Sequence, residues 1–186
     1  MIKTQPHSLV EPLFHISDDP NITRFDPRPP PSAGSGQTGL MVWAVGERLL
    51  HNYLLPRDCP RVTFYAAPTS APEDVERLLG TSNATYVVAI ESCWLSAVRA
   101  GRLYKYALPP ATFAPVDEGA GYYISREPVV PLAVAPIDDI LGALLARDVE
   151  LRVMPSLWKL HDTIAASTLQ FSIIRLRNAL PRVAQA

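Results

Sequence analysis

Apolar and polar positions change period several times along the chain, and prolines separate the segments. The short apolar run Leu13–Ile16 predicts a buried strand, and Met41–Val45 ("MVWAV") a second. Glu47–Leu55 carries a helical pattern stopped by Pro56, and "PRDCP" turns the chain into a β-branched and aromatic strand, Arg61–Ala66. In "SAPEDVERLLG", Ser70 and Glu73 are spaced as a capping box, Pro72 sits in the first turn and Gly80 closes the helix. Strand Thr85–Ile90 follows, then a helix near 92–100 ended by Gly101. Leu103–Leu108 alternates in period two, with Leu103, Lys105 and Ala107 on one face and Tyr104, Tyr106 and Leu108 on the other.

Pro109-Pro110 ends that strand, and a loop is expected as far as Gly121. "YYIS" and "VVPLAV" read as two more strands, with Pro131 marking an edge strand or a bulge. Helix Ile137–Arg147 and strand Val149–Val153 come next, followed by helices near 156–166 and 168–179. Together these predict one mixed α+β domain spanning 1–186. It would have a central mixed or antiparallel sheet of about six to eight strands, peripheral helices and a helical C-terminus. Residues 1–11 are expected to be an N-terminal tail and residues 26–39 a Pro/Gly-rich loop.

Composition narrows the partners. An apolar share of 48% suits a globular chain, and 17 Lys and Arg against 18 Asp and Glu give no global field for nucleic acid or membrane. Fourteen of the 17 cations are arginine, whose planar fork suits carboxylate and phosphate. No N-terminal leader pattern and no membrane-length apolar run is visible, so a cytoplasmic chain is expected. The sequons at Asn21 and Asn83 then read as chance matches. Cys59 and Cys93 are too far apart for a CxxC pair, and with four scattered histidines no metal site is predicted.

Dinucleotide, Walker, nucleophile-elbow and HExxH patterns are all missing, and "SAGSGQTG" does not follow a strand, so it reads as a surface loop. In "HISDD", His15, Asp18 and Asp19 are of the types that ligate a divalent metal, but Asp-Asp-Pro-Asn is turn chemistry and that alone explains both aspartates. His161 fits a half-buried helix position, and His51 and His7 carry no visible chemistry. Cys93 stands in the first turn of a helix, where a thiol pKa can fall, but Glu91 beside it opposes that. Arg57 and Arg61 flank the stiff turn in "LLPRDCPRVTFYA". They could grip one phosphate or carboxylate, or pair with Asp58 at the surface.

The order "LFHIS", "FDPRPP", "VWAVGERLLHNYLLPRDCPRVTFYA", "LYKYALP", "GYYISREPVVP" and "VELRVMPSLW" resembles an uncharacterised bacterial protein family over nearly the whole chain. More distantly it is similar to the ADP-ribosyltransferase-like fold, in the branch marked by a histidine, an aromatic and a glutamate. His15 in "LFHIS", Trp43 and Tyr53 in the second strand and helix, and "YYISREPVVP" carry that similarity. The resemblance implies a cleft for NAD or a related nucleotide. In it His15 would hydrogen-bond ribose, an aromatic face would stack on nicotinamide, and a carboxylate would offset the charge developing at the reacting ribose. The glutamate's place reads Tyr122 here, with Glu118 four residues earlier and Glu127 five later, either of which needs a loop excursion or bulge to reach it. Glu127 is taken as the acid in the catalytic pair with His15, and Tyr122 and Tyr123 stand at the ligand. Two alternatives stay open. One is a non-catalytic module for a nucleotide or anionic small molecule. The other is a structural protein that homodimerises through Leu169, Ile173, Leu176 and Leu180 on the last expected helix.

Overall fold

A computed structural model describes residues 11–30 and 36–182, so much of the expected tail and part of the Pro/Gly-rich loop lie outside it, as does His7. Two sheets organise these residues. Six antiparallel strands lie in the order β6-β7-β2-β1-β5-β8: β1 is Leu13–Ser17, β2 Val42–Gly46, β5 Leu103–Leu108, β6 Phe113–Asp117, β7 Tyr122–Ser125 and β8 Ala133–Ile137. The second sheet has the order β10-β3-β4-β9, from Arg61–Tyr65 (β3), Tyr86–Glu91 (β4), Val149–Met154 (β9) and Gln170–Ile174 (β10). Its β4–β9 pair is parallel, which requires the long crossover that carries several of the helices.

The helices are short: α1 Pro72–Leu78, α2 Leu95–Ala100, α3 Ile140–Leu145 and α4 Trp158–Ala165. The expected helix at Glu47–Leu55 is a 3-10 segment, Glu47–Tyr53, with a kink at Leu49. Ser70 does not cap α1. Ala71 holds that place without a side-chain bond, and the Ser70 hydroxyl donates to the Thr168 carbonyl instead.

The expected antiparallel sheet is present with six strands, and among the described residues four further strands form a second sheet. β6 arises inside the expected loop, because Phe113–Asp117 finds an open edge on β7. The apolar run "VVPLAV" is not itself the strand. Val129 bridges to Phe25, and the strand proper begins at Ala133, past Pro131, on the sheet's outer edge.

The largest correction is at the C-terminus. Residues expected as a helix at 168–179 form β10 and a 3-10 turn at Leu176–Asn178. The spacing of Leu169, Ile173, Leu176 and Leu180 mimics a helix, but β-branched Ile173 and Ile174 with Phe171 suit a strand, and β3 supplies an edge to pair with. The helix through which a homodimer was expected to form is therefore not present.

Three apolar clusters fill the structure. The largest joins the 3-10 segment (Leu49, Leu50, Leu54), β4 and α3 (Ile140, Leu144). A second packs α4 on β3 and β4, and a third lies against β1, β2 and β5, with Phe25 and Val129. Tyr106 is fully buried in the third, and its hydroxyl donates to the Asp19 carbonyl at 2.6 Å and accepts from the Ile22 amide at 3.1 Å. These two bonds hold the turn that follows β1. Tyr106→Phe should cost about 1–2 kcal/mol in chemical denaturation, and an unchanged midpoint would show that the turn holds itself.

Among the described residues no helix is long and apolar enough to cross a membrane.

Candidate functional site

The site begins where two strands part. β1 stays paired with β5 as far as Ser17↔Tyr104, but its pairing with β2 stops at Phe14↔Val45. Beyond that point the Trp43 carbonyl is taken by a side chain, His15 Nδ1, at 3.1 Å. A carbonyl only accepts, so the proton of a neutral His15 is on Nδ1 and Nε2 is an acceptor. Burial pushes the His15 pKa down, the Trp43 carbonyl partly opposes this, and the cationic Arg57 and Arg28 add to the lowering. The ring is thus a neutral acceptor near pH 7. Its other neighbour is Phe25, with ring centroids 4.7 Å apart.

Between these strands and the second sheet lies a cavity of about 150 Å³. β1 contributes Phe14, His15, Ile16 and Ser17, and Asp18 follows at its end. Trp43 comes from β2 and Tyr53 from the 3-10 segment, while three arginines, Arg57, Arg61 and Arg175, complete the wall. Arg57 and Asp18 are exposed and stand at its mouth, whereas Arg61 is only 2% exposed.

Arg61 is the anchor of this wall. From β3 it donates Nε to the Asn52 carbonyl at 3.0 Å, and Nη1 to those of Cys59 at 2.9 Å and Pro56 at 3.3 Å. These bonds fasten the segment carrying Tyr53 and Arg57 to the second sheet, and the guanidinium stacks over the Tyr53 ring at 5.6 Å. No carboxylate pairs with Arg61, Arg57 or Arg175 among the described residues. Burial pushes the Arg61 pKa down and that of Tyr53 up, so Tyr53 is a neutral phenol.

Tyr122 is not part of the lining but backs it, meeting the Trp43 and Tyr53 rings edge-on, each at 6.0 Å. Its hydroxyl donates to Ser172 Oγ of β10 at 3.3 Å. Tyr123 alternates to the other face of the sheet, where its hydroxyl donates to Glu11 at 2.5 Å and its pKa is pushed up to about 12, chiefly by that bond. There it lines a separate pocket with Arg48 and Glu118. Glu127 is exposed beyond the end of β7 and does not reach the first cavity. Thus His15, Trp43, Tyr53, Arg57 and Arg61 share one cavity, Tyr122 stands behind it, and Tyr123 and Glu127 lie elsewhere.

Among the charged residues of the lining, two escape the sequence reading. Asp18 reads as turn chemistry, while Arg175 is masked by the expected helix, where it looks like a cation at a helix end. Arg175 has left-handed backbone angles (φ 56, ψ 25), a conformation no sequence pattern announces for an arginine.

The remaining candidates lie apart from this cavity. Cys93 is exposed on a 3-10 turn, and burial pushes the Cys59 thiol up to about 12. His161 is half-buried against Asp162, at 2.9 Å. Glu91, fully buried, accepts from the amides of Leu157 and Leu180 and so ties down the C-terminal segment. Among the described residues no group of three or more His, Cys, Asp or Glu side chains is placed to hold a metal ion.

A family model matches residues 14–179, which takes in both sheets and the whole cavity. The chain belongs to the family of unknown function DUF6886. No curated protein and no solved structure matches it. For this DUF6886 member the geometry of the cavity is therefore the guide to function.

Proposed function

We propose that this DUF6886 protein binds NAD or a related nucleotide, with one end of the ligand enclosed between the two sheets. The observation that carries the reading is the convergence in one cavity of a neutral histidine acceptor, aromatic rings and three arginines that form no ion pair among the described residues. His15 Nε2 would accept from a ribose hydroxyl, a planar ring would lie against Trp43 and Tyr53, and the anionic part would face Arg57 and Arg175. Typical small-molecule pockets hold roughly 300–1,000 Å³. A cavity of about 150 Å³ encloses only part of a dinucleotide, so the remainder would extend past the exposed Arg57 and Asp18.

Binding is better supported than transfer. Cleavage of the nicotinamide–ribose bond needs a negative charge close to the forming oxocarbenium. The position that would supply it is Tyr122, a phenol already donating to Ser172, and Glu127 stands outside the cavity.

The test is thermal unfolding with NAD, ADP-ribose and AMP. A ligand at 100 times its Kd adds about 2.7 kcal/mol, or roughly 5–10 °C in Tm for a chain of this size. His15→Ala should remove most of that shift. Stabilisation without nicotinamide release fits a binding module, and release above the uncatalysed rate would establish cleavage of the nicotinamide–ribose bond. No shift with any of the three nucleotides would sink the reading.

A further inference from the structure

We infer that Arg57, Arg61 and Arg175 form a subsite for a doubly charged phosphate group, with Arg175 its specificity-determining residue. The inference rests on the nucleotide reading only for what the phosphate is attached to; the subsite itself stands on charge and geometry.

Charge comes first. Of the residues lining the cavity, three are arginines and one, Asp18, is a carboxylate, while His15 is neutral. Two positive charges are left over in a partly enclosed space. A carboxylate ligand would cancel only one of them, whereas a phosphomonoester carries about −1.5 to −2 near pH 7. The pyrophosphate of a dinucleotide carries a comparable charge. A doubly charged phosphate group is thus the ligand chemistry that balances the wall.

Geometry comes second. Arg61 is buried and uses Nε and Nη1 on three carbonyls, so its charge is held in place while Nη2 takes no part in those bonds. The side chains of Arg57 and Arg175 make no hydrogen bond or ion pair among the described residues, although many other arginines of the chain do. They are carried by two different turns that the fold fastens together: Asn178 Nδ2 donates to the Asp58 carbonyl at 2.8 Å. The second turn is closed by the Asn178 amide donating to the Arg175 carbonyl at 2.9 Å. Ile174, just before Arg175, pairs with Arg61 across β10 and β3, which sets Arg175 beside the buried guanidinium. The left-handed backbone at Arg175 is uncommon for a residue with a Cβ, and such conformations concentrate at ligand sites. Asn178 is then a positioning residue, since it touches the turn rather than the phosphate.

The experiment is calorimetric titration of the full chain with inorganic phosphate, pyrophosphate, acetate, AMP, adenosine and NAD. Phosphate and pyrophosphate should bind and acetate should bind far more weakly. Arg175→Gln and Arg57→Gln, at half-buried and exposed positions, should each weaken phosphate roughly 10- to 100-fold. Arg175→Lys should recover only part of that loss, because an ammonium lacks the planar fork. Asn178→Ala should weaken phosphate less than Arg175→Gln, and Arg99→Gln, on the exposed side of α2, should change nothing. Circular dichroism of each variant separates lost binding from lost folding.

Phosphate affinity unchanged in both Arg→Gln variants, or acetate binding as tightly as phosphate, overturns the subsite even if NAD binds. Phosphate binding that depends on Arg175, with no binding of NAD or AMP beyond that of phosphate, keeps the subsite and removes the nucleotide reading. Adenosine binding alone, with neither phosphate nor pyrophosphate bound, removes the subsite and keeps the aromatic wall.

Discussion

Acidification from about pH 7 to pH 4 is expected to cost the fold about 3 kcal/mol through His51 alone. His51 is 2% exposed, its Nδ1 makes no hydrogen bond within the described residues, and its ring lies 4.2 Å from that of Tyr86. Burial, helped by the nearby cations Arg147 and Arg48, lowers its pKa from 6.5 to about 4. With the folded pKa below the unfolded one, the unfolded chain binds the extra proton first. The contribution is therefore complete above about pH 6.5, declines as the pH falls, and is fully lost below about pH 4. His15 is shifted in the same direction and adds to the loss. Denaturant unfolding across this range measures the effect. In His51→Phe, which keeps a ring against Tyr86 but cannot be protonated, the decline should shrink to the part His15 and the carboxylates supply. Parallel profiles for parent and variant would show that His51 is not its source.

Arg61→Met is expected to destabilise by about 3–5 kcal/mol. Two effects oppose each other here. Removing a buried charge that no carboxylate neutralises relieves a desolvation cost, and in other settings such replacements are neutral or better. Here the charge is held by the carbonyls of Asn52, Pro56 and Cys59, which lose their donors together. Each orphaned buried acceptor costs about 1–3 kcal/mol, so the loss prevails. Arg61→Lys keeps the charge but cannot span three carbonyls, and should fall between parent and Met variant. A Met variant within about 0.5 kcal/mol of the parent would mean that these carbonyls find other donors. The same change bears on function, because Tyr53 and Arg57 ride on the segment that Arg61 fastens.

Part of the cavity's lining was readable from local pattern. "LFHIS" has the alternation of a short strand, and a histidine within it has few places to go but a sheet face. Trp43 stands within a strand and Tyr53 at the end of a helical segment, and the two prolines at 56 and 60 give the turn between Arg57 and Arg61. Those signals depend on neighbours in the chain, and they survive in the structure with shifts of a residue or so.

What failed depended on partners distant in sequence. The strand at Gln170–Ile174 looks helical by spacing, and only the open edge of β3 decides its form. Placing that strand brings Arg175 into the cavity, and the spacing that suggested a helix concealed it. Glu127 and Tyr123 were placed at the ligand by resemblance. The end of β7 leaves the first in solvent, and the pleat turns the second to the opposite face. Asp18 reads as a turn residue and is one, but it also borders the cavity, because β1 and β2 have parted after Phe14.

By itself, then, the amino-acid sequence determined the elements with a clear period, their stops at proline and glycine, and the residues rich enough in chemistry to form a site. Periodicity is a local property, and a chain of this composition expresses it wherever tertiary contacts do not override it. Tertiary structure alone decided which edges pair, and hence that arginines far apart in sequence, Arg57 and Arg175, meet around a third that is buried. Strand pairing is a contest between distant segments for the same hydrogen bonds, and no window along the sequence contains both contestants.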